Sequence, residues 1–327
     1  MESSVRDFIV SFLSILYEAL PFIVLGSVIA GILEEMVPQQ LIARFLPRNR
    51  AFAILASGLL GLIFPMCECG IIPVMRRLLR KGLPLSCCVA YILAGPIINV
   101  VVLSSTYVAF APHDGGLWIV ALRMIVGYLV AMGAAAVVER QYRRHGPDLL
   151  SPLARADVSH LPSPQLENNE TNNDRVGRKP WLRRVGNISE TALHDFVDIT
   201  VFLILGALLA ALVRLHWSNQ QVAELSQAYP GLAIGVMMLM AVLLCLCSEA
   251  DAFVAASFTT LAPAPKLAFL VLGPMLDLKL YMMYTRVFAP RLIWTIIPTV
   301  VLQVLFWATL VHWMFELLGP ALPGMGN

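Results

Sequence analysis

Apolar residues run in long blocks along the chain, and a few of those blocks are interrupted by prolines, glycines, thiols and acids. The first block, residues 7 to 33, has about the length needed to cross ~30 Å of hydrocarbon. It is too long for a signal-peptide core, carries Glu18 and Pro21, and lacks a small-residue cleavage site behind it, so it is expected to stay in the mature protein. A second block, 51 to 66, runs into Phe64-Pro65-Met66-Cys67-Glu68-Cys69-Gly70-Ile71-Ile72-Pro73. The piece after it, 71 to 81, is half a span long and ends in Arg76, Arg77, Arg80 and Lys81, the pattern of the returning limb of a re-entrant hairpin. Residues 84 to 110 make a further span, loosened by Gly95 and Pro96 and carrying the Asn99 amide at depth. Residues 117 to 138 make another.

The character then changes. Residues 139 to 190 are polar, rich in Asn, Pro, Arg and Ser and without apolar periodicity, which predicts a disordered linker. Spans resume up to about Val213 and from Pro230 to Cys247, followed by Ser248-Glu249-Ala250-Asp251, a half-length piece to Leu261, a segment 267 to 288 with Gly273-Pro274-Met275-Leu276-Asp277, and a last span from 292 to 316. The series therefore occurs twice. Gly26 to Cys67 is 41 residues and Gly206 to Cys247 is also 41, while Gly26 to Gly95 is 69 and Gly206 to Gly273 is 67. The expected organisation is a membrane repeat over 1–138, a cytoplasmic linker over 139–190 and a second membrane repeat over 191–327.

Composition sharpens the class. At 327 residues, 58% hydrophobic and 13% charged, the chain has more apolar surface than a soluble domain could bury, so the fold class is an all-α integral membrane protein with broken or re-entrant helices at the Cys/acid motifs. Mean hydropathy is +0.76. A net charge of +2 argues against nucleic-acid binding, and the partners it implies are the lipid bilayer and a small solute or ion. If both Cys/acid motifs are re-entrant, the repeats are inverted and 18 of the 23 Lys and Arg fall on one side; if both lie in full spans, the repeats are parallel and about 15 do. The positive-inside rule favours the inverted arrangement, a recurrent transporter design with its site near the midplane.

The candidate chemistry sits at the breaks. An isolated cysteine in a membrane helix is a small hydrophobe, and adjacent Cys87 and Cys88 read that way. Cys67 and Cys69 differ, because they flank Glu68 at a helix break and are echoed by Cys245 and Cys247. Residues two apart on a regular helix point about 200° apart, so both thiols share a cavity only where the helix is broken. Pro65, Gly70 and Pro73 in the first motif, and Gly95, Pro96, Gly273 and Pro274 later, are the expected breaks. Thiolates select soft species such as trivalent arsenic, Cu(I) or Zn(II), which makes Cys67, Cys69 and Cys247 candidate ligands.

Buried acids in membranes need a reason: Glu68, Glu249 and Asp251 are candidate proton or cation relays, with a structural bond to Lys279, Arg123 or backbone amides as the plainer reading. Asn99 and Asp277, matched between the repeats, bind substrate or cap a broken helix. Glu18 and Lys279 are weaker candidates, as snorkelling or pairing accounts for them equally. No ATP-binding loop, dinucleotide fingerprint, histidine-rich zinc motif or nucleophile elbow is present, so no cofactor and no enzymatic chemistry is expected. A membrane thiol oxidoreductase using Cys67 and Cys69 is a rival, set back by the strain of a Cys-x-Cys disulfide and by the depth of the thiols.

The runs FPMCECGIIPVMRRLLRKGLPLSCCVAYILAGPIINVVVL, LCSEADAFVAASF and LGPMLDLK resemble a family of predicted permeases that includes ArsP, an exporter of trivalent organoarsenicals such as methylarsenite. The resemblance covers residues 8 to 138 and 190 to 316. It implies a secondary permease of the bacterial cytoplasmic membrane working by alternating access, with arsenic efflux as the leading activity and transport of a divalent metal or another small solute on the buried carboxylates as the alternative.

Overall fold

A computed structural model describes residues 2–36, 47, 49–64, 66–111, 116–150, 181–216, 232–258 and 261–318. Among them regular structure is helical apart from one isolated bridge between Leu150 and Phe288. Pro65 and most of the expected linker lie outside the described residues. The expected linker is shorter than drawn at both ends, because helix extends through His145 and begins again at Trp181.

The first half comprises α1 (Glu2–Met36), α2 (Arg50–Gly58), α3 (Leu60–Ile63), α4 (Glu68–Arg80), α5 (Leu85–Ala94), α6 (Val100–Phe110) and α7 (Gly116–His145). A 3-10 turn, Gly146–Leu149, ends it. The second comprises α8 (Trp181–His216), α9 (Ala233–Leu244), α10 (Ala250–Ser257), α11 (Pro263–Leu272), α12 (Leu278–Val287) and α13 (Pro290–Leu318). Among the described residues four helices, α1, α7, α8 and α13, are long and apolar enough to cross a membrane. Their outward faces carry exposed apolar side chains such as Val10, Leu13, Ile125, Val201, Leu302 and Phe306, as lipid contact requires. Three of the short helices form the interior: every residue of α5 is buried, as are Ala264–Leu272 of α11 and Glu68–Leu79 of α4.

Contacts along the helices fix their directions. Asn187 of α8 bonds Glu35 of α1, Ile188 lies against Gly31, and Ala207 packs with Ile15, so α1 and α8 run antiparallel. Leu149 accepts a backbone bond from Ala289, and Gly133 meets Gln303, so α7 and α13 run antiparallel too. These are the pairs that occupy matching places in the two series. The halves are therefore inverted relative to one another.

The re-entrant hairpins follow from the same contacts. Phe22 and Gly26 of α1 lie against Gly70, while Glu34 faces Arg77 and its carbonyl accepts from Lys81, so α4 runs parallel to α1, from mid-depth back to the end where α1 finishes. At that end Glu139 of α7 accepts from Arg50 and Ser86, which brings the starts of α2 and α5 there. Deeper in, Gly61 abuts Gly95. So α2 and α3 enter to mid-depth and α4 returns, whereas α5 and α6 together complete a crossing. The second half repeats this from the opposite end: Lys266 of α11 lies over the Phe110 ring at the close of α6, and α12 carries Arg286 to Asp198 near Arg76.

Two of the expected breaks are not breaks. α4 runs unbroken through Gly70 and Pro73. Pro73 removes one amide, the partner of the Cys69 carbonyl, and neighbouring helices hold the turn. Gly70 serves α1 instead: a Cβ there would lie 2.8 Å from the Phe22 carbonyl. The chain departs from helix at Met66 and Cys67, after Gly95, at Cys245 to Glu249, and after Gly273.

Candidate functional site

The four mid-depth breaks meet inside the bundle. Each is followed by a helix start: Cys67 precedes α4, Asn99 precedes α6, Glu249 precedes α10 and Asp277 precedes α12. Unpaired amides at a helix start favour negative charge, which accounts for acids at three of the four. Asn99 and Asp277 do the capping work. Asn99 Oδ1 accepts from Val101 N at 2.9 Å, and Asp277 Oδ1 accepts from Leu280 N at 2.6 Å.

Glu68, 1% exposed, is held from the other half of the chain. Lys279 Nζ lies 2.8 Å from its Oε1, and Ser248 Oγ donates to its Oε2 at 3.2 Å. Lys279 also faces Asp277 Oδ2 at 3.5 Å and donates to the Leu246 carbonyl at 3.4 Å. The exchange is reciprocal. Arg123, fully buried on α7 of the first half, donates to the Ser248 carbonyl of the second at 2.9 Å and to Thr106 Oγ1 at 2.7 Å. Each Cys/acid break is thus tied down by a cation from the opposite half.

Between the breaks and α1 lies a narrow cleft. Cys67, Cys69, Cys245 and Cys247 all line it, together with Glu18, Glu68 and Lys279, and Ile15, Ala19 and Phe22 of α1 form its apolar wall. Its free space admits about one water-sized sphere. All four thiols are unbridged. Cys67, with ψ of 171°, sits just outside α4, which is why it and Cys69 reach one cavity although two residues apart. Cys247 Sγ donates to Glu18 Oε1 at 2.6 Å and lies 3.3 Å from Glu249 Oε2. Cys245 closes α9 in the left-handed region, with φ of 48°, a conformation that costs a non-glycine residue about 1–3 kcal/mol.

Of the residues singled out from sequence, Cys67, Cys69, Cys247 and Glu68 line the cleft; Glu249 touches it through Cys247; Asn99, Asp251 and Asp277 are buried but do not line it. Lys279 is more central than its sequence signal suggested, and Cys245 and Glu18 join it. A lone cation or acid in an apolar span is the signal that marks Lys279, Glu18 and Arg123. Among the described residues no three His, Cys, Asp or Glu side chains converge as a metal-binding set.

On the side of the bundle where α1 ends, ion pairs join both halves. Arg77 donates to Asp195 Oδ2 at 2.9 and 2.7 Å, and Asp198 pairs with Arg286 at 2.8 Å and with Arg76 at 3.5 Å. These pairs bind the two halves together at that end, while the wall of the cleft is built from the earlier turns of α1.

The model of a family described as predicted permease, ArsP_1, matches residues 4–313. The chain is 36% identical over 302 residues to UPF0718 protein YcgR of Bacillus subtilis (strain 168), covering 92% of this chain and 95% of that one. It is 32% identical over 314 residues, 95% of this chain and 97% of the other, to a Streptococcus mutans serotype c (strain ATCC 700610 / UA159) protein named "Putative two-component membrane permease complex subunit". No solved structure matches the chain. These relatives point to a transporter rather than an enzyme. With inverted halves, crossing helices and breaks that meet at mid-depth, the chain belongs to this predicted permease family and is a multi-pass membrane protein.

Proposed function

We propose that this permease carries a small thiophilic solute, with a trivalent organoarsenical such as methylarsenite as the cargo, out of a bacterial cell by alternating access. The observation that supports the reading is the convergence of the thiols of both breaks on one cleft between the inverted halves. Thiols suit trivalent arsenic. Methylarsenite carries two hydroxyls; each is exchanged for a thiol sulfur, the thiol proton leaving with the hydroxyl as water, and addition of water reverses the exchange. Capture and release therefore need no oxidant. Two thiols hold the arsenic at a time, drawn from Cys67, Cys69 and Cys247 in this reading, with Cys245 beside them.

The cleft is too small for the cargo as it stands, so α1 and the breaks must part to admit it. The positive-inside rule puts the end holding Arg76, Arg77, Arg80 and Lys81 in the cytoplasm. Its ion pairs are then the cytoplasmic closure, and opening them exposes the cleft to the cell interior. Everted vesicles from an arsenic-sensitive host test the reading. Wild-type vesicles are expected to accumulate methylarsenite under a proton gradient and Cys67→Ser vesicles to lose at least about tenfold of that rate. No accumulation above empty vesicles removes the arsenical cargo.

A further inference from the structure

Most carboxylates at the breaks are engaged. Glu68 is paired with Lys279 and Ser248, Asp277 caps α12 beside Lys279, and Glu18 and Glu249 both face Cys247 Sγ. Asp251 stands apart. It lies in the first turn of α10, is 2% exposed, and does not line the thiol cleft. Its Oδ2 has no hydrogen-bond partner among the described residues. Gly273 makes room for it: a Cβ at that position would lie 2.6 Å from Asp251 Oδ2.

The charges around Asp251 come from several elements. Arg123 of α7 reaches the same break, donating to the carbonyl of Ser248, three residues before Asp251, and the Ser248 hydroxyl donates to Glu68, which pairs with Lys279 beside Asp277. α6 offers no charged residue, and the one cation of α11, Lys266, lies over the Phe110 ring, 5.9 Å from its centroid. Arg123 directs its two terminal nitrogens to Thr106 and to the Ser248 carbonyl, and its Nε has no partner among the described residues. A buried carboxylate beside an arginine that bonds elsewhere is costly as an anion and inexpensive as a neutral acid.

We propose that Asp251 is the binding site for a coupling proton, separate from the thiol cleft and communicating with it through Arg123. The proposal rests on the permease reading. When the carboxyl loses its proton to water, the anion competes with the Ser248 carbonyl for Arg123. Ser248 adjoins Cys247, so release of the proton loosens the segment that carries a cargo thiol, and proton and cargo states become linked.

Two measurements on the full chain test this separately. Infrared difference spectra of the purified protein near neutral pH are expected to show the carbonyl stretch of a protonated acid, shifted by deuteration, removed by Asp251→Asn and kept in Glu68→Gln. A band unchanged in Asp251→Asn overturns the proposal. In vesicles, Asp251→Asn is expected to lose at least about tenfold of gradient-driven methylarsenite accumulation while methylarsenite exchange survives. Accumulation equal to wild type, or loss of exchange together with accumulation in a protein that melts like wild type, also overturns it. If wild-type vesicles do not move methylarsenite, the cargo reading fails alone and the infrared result still decides the proton site.

Discussion

Lys279 and Glu68 come from opposite halves of the chain, are 3% and 1% exposed, and meet at 2.8 Å. Removing one member of such a pair strands the other charge in a low-dielectric interior, whereas removing both removes the desolvation cost as well. Lys279→Met is therefore expected to lower stability by about 3–5 kcal/mol, and adding Glu68→Gln to recover a large part of the loss. Melting of the two single variants and the double variant in detergent measures this coupling. At Gly273 the crowding is of a different kind. Gly273→Ala forces the Asp251 carboxyl from its place, with an expected cost of about 1–3 kcal/mol, and thermal unfolding beside wild type checks it. The acids and thiols were legible in the sequence because polar groups in apolar blocks stand out. Lys279 and Arg123 were legible as possible partners for those acids, but not which cation holds which acid: Lys279 lies 211 residues from Glu68, and the folded chain matches the two.

Long helices cross at glycines. A Cβ on Gly26 would collide with the backbone of Gly70, and one on Gly206 would lie 2.7 Å from Lys279 Cα, so the matched glycines of α1 and α8 let each helix press on a half-helix that bears a site residue. Gly26→Leu is expected to push α1 away from α4, with overpacking that lowers the melting temperature and raises maleimide labelling of Cys67 and Cys69 in membranes. Unchanged labelling and melting would show that α1 does not seal the cleft. The spacing of Gly26 and Gly206 from the Cys motifs made this repeat visible in sequence. The breaks were less legible. Proline and glycine signal loss of helix, but α4 absorbs Pro73 and Gly70 because both sit where neighbouring helices pack, and the actual departure from helix falls at Cys67.

Across the whole molecule, the antiparallel pairing of α1 with α8 and of α7 with α13 puts the ends of α7 and α1 and the start of α8 on one side of the membrane. The start of α1 and the end of α13 lie on the other. Reporter fusions are expected to read residue 160 as cytoplasmic and both ends of α1–α13 as external; a fusion near the start of α1 on the same side as residue 160 would contradict the inverted topology. Sequence could state both topologies, yet charge counting separated them by only a few Lys and Arg. The inversion is set by which helices touch, and that information is non-local.

The inversion matters because it brings the two Cys/acid breaks to one cleft, so a cargo held there must feel both halves. Methylarsenite binding to the purified chain tests this most directly, with Cys67→Ser from the first break and Cys247→Ser from the second measured beside wild type. Both single variants are expected to weaken binding by at least about tenfold, which is about 1.4 kcal/mol. Binding unaffected by either substitution, or lost in one half alone, would contradict a site built jointly from the two.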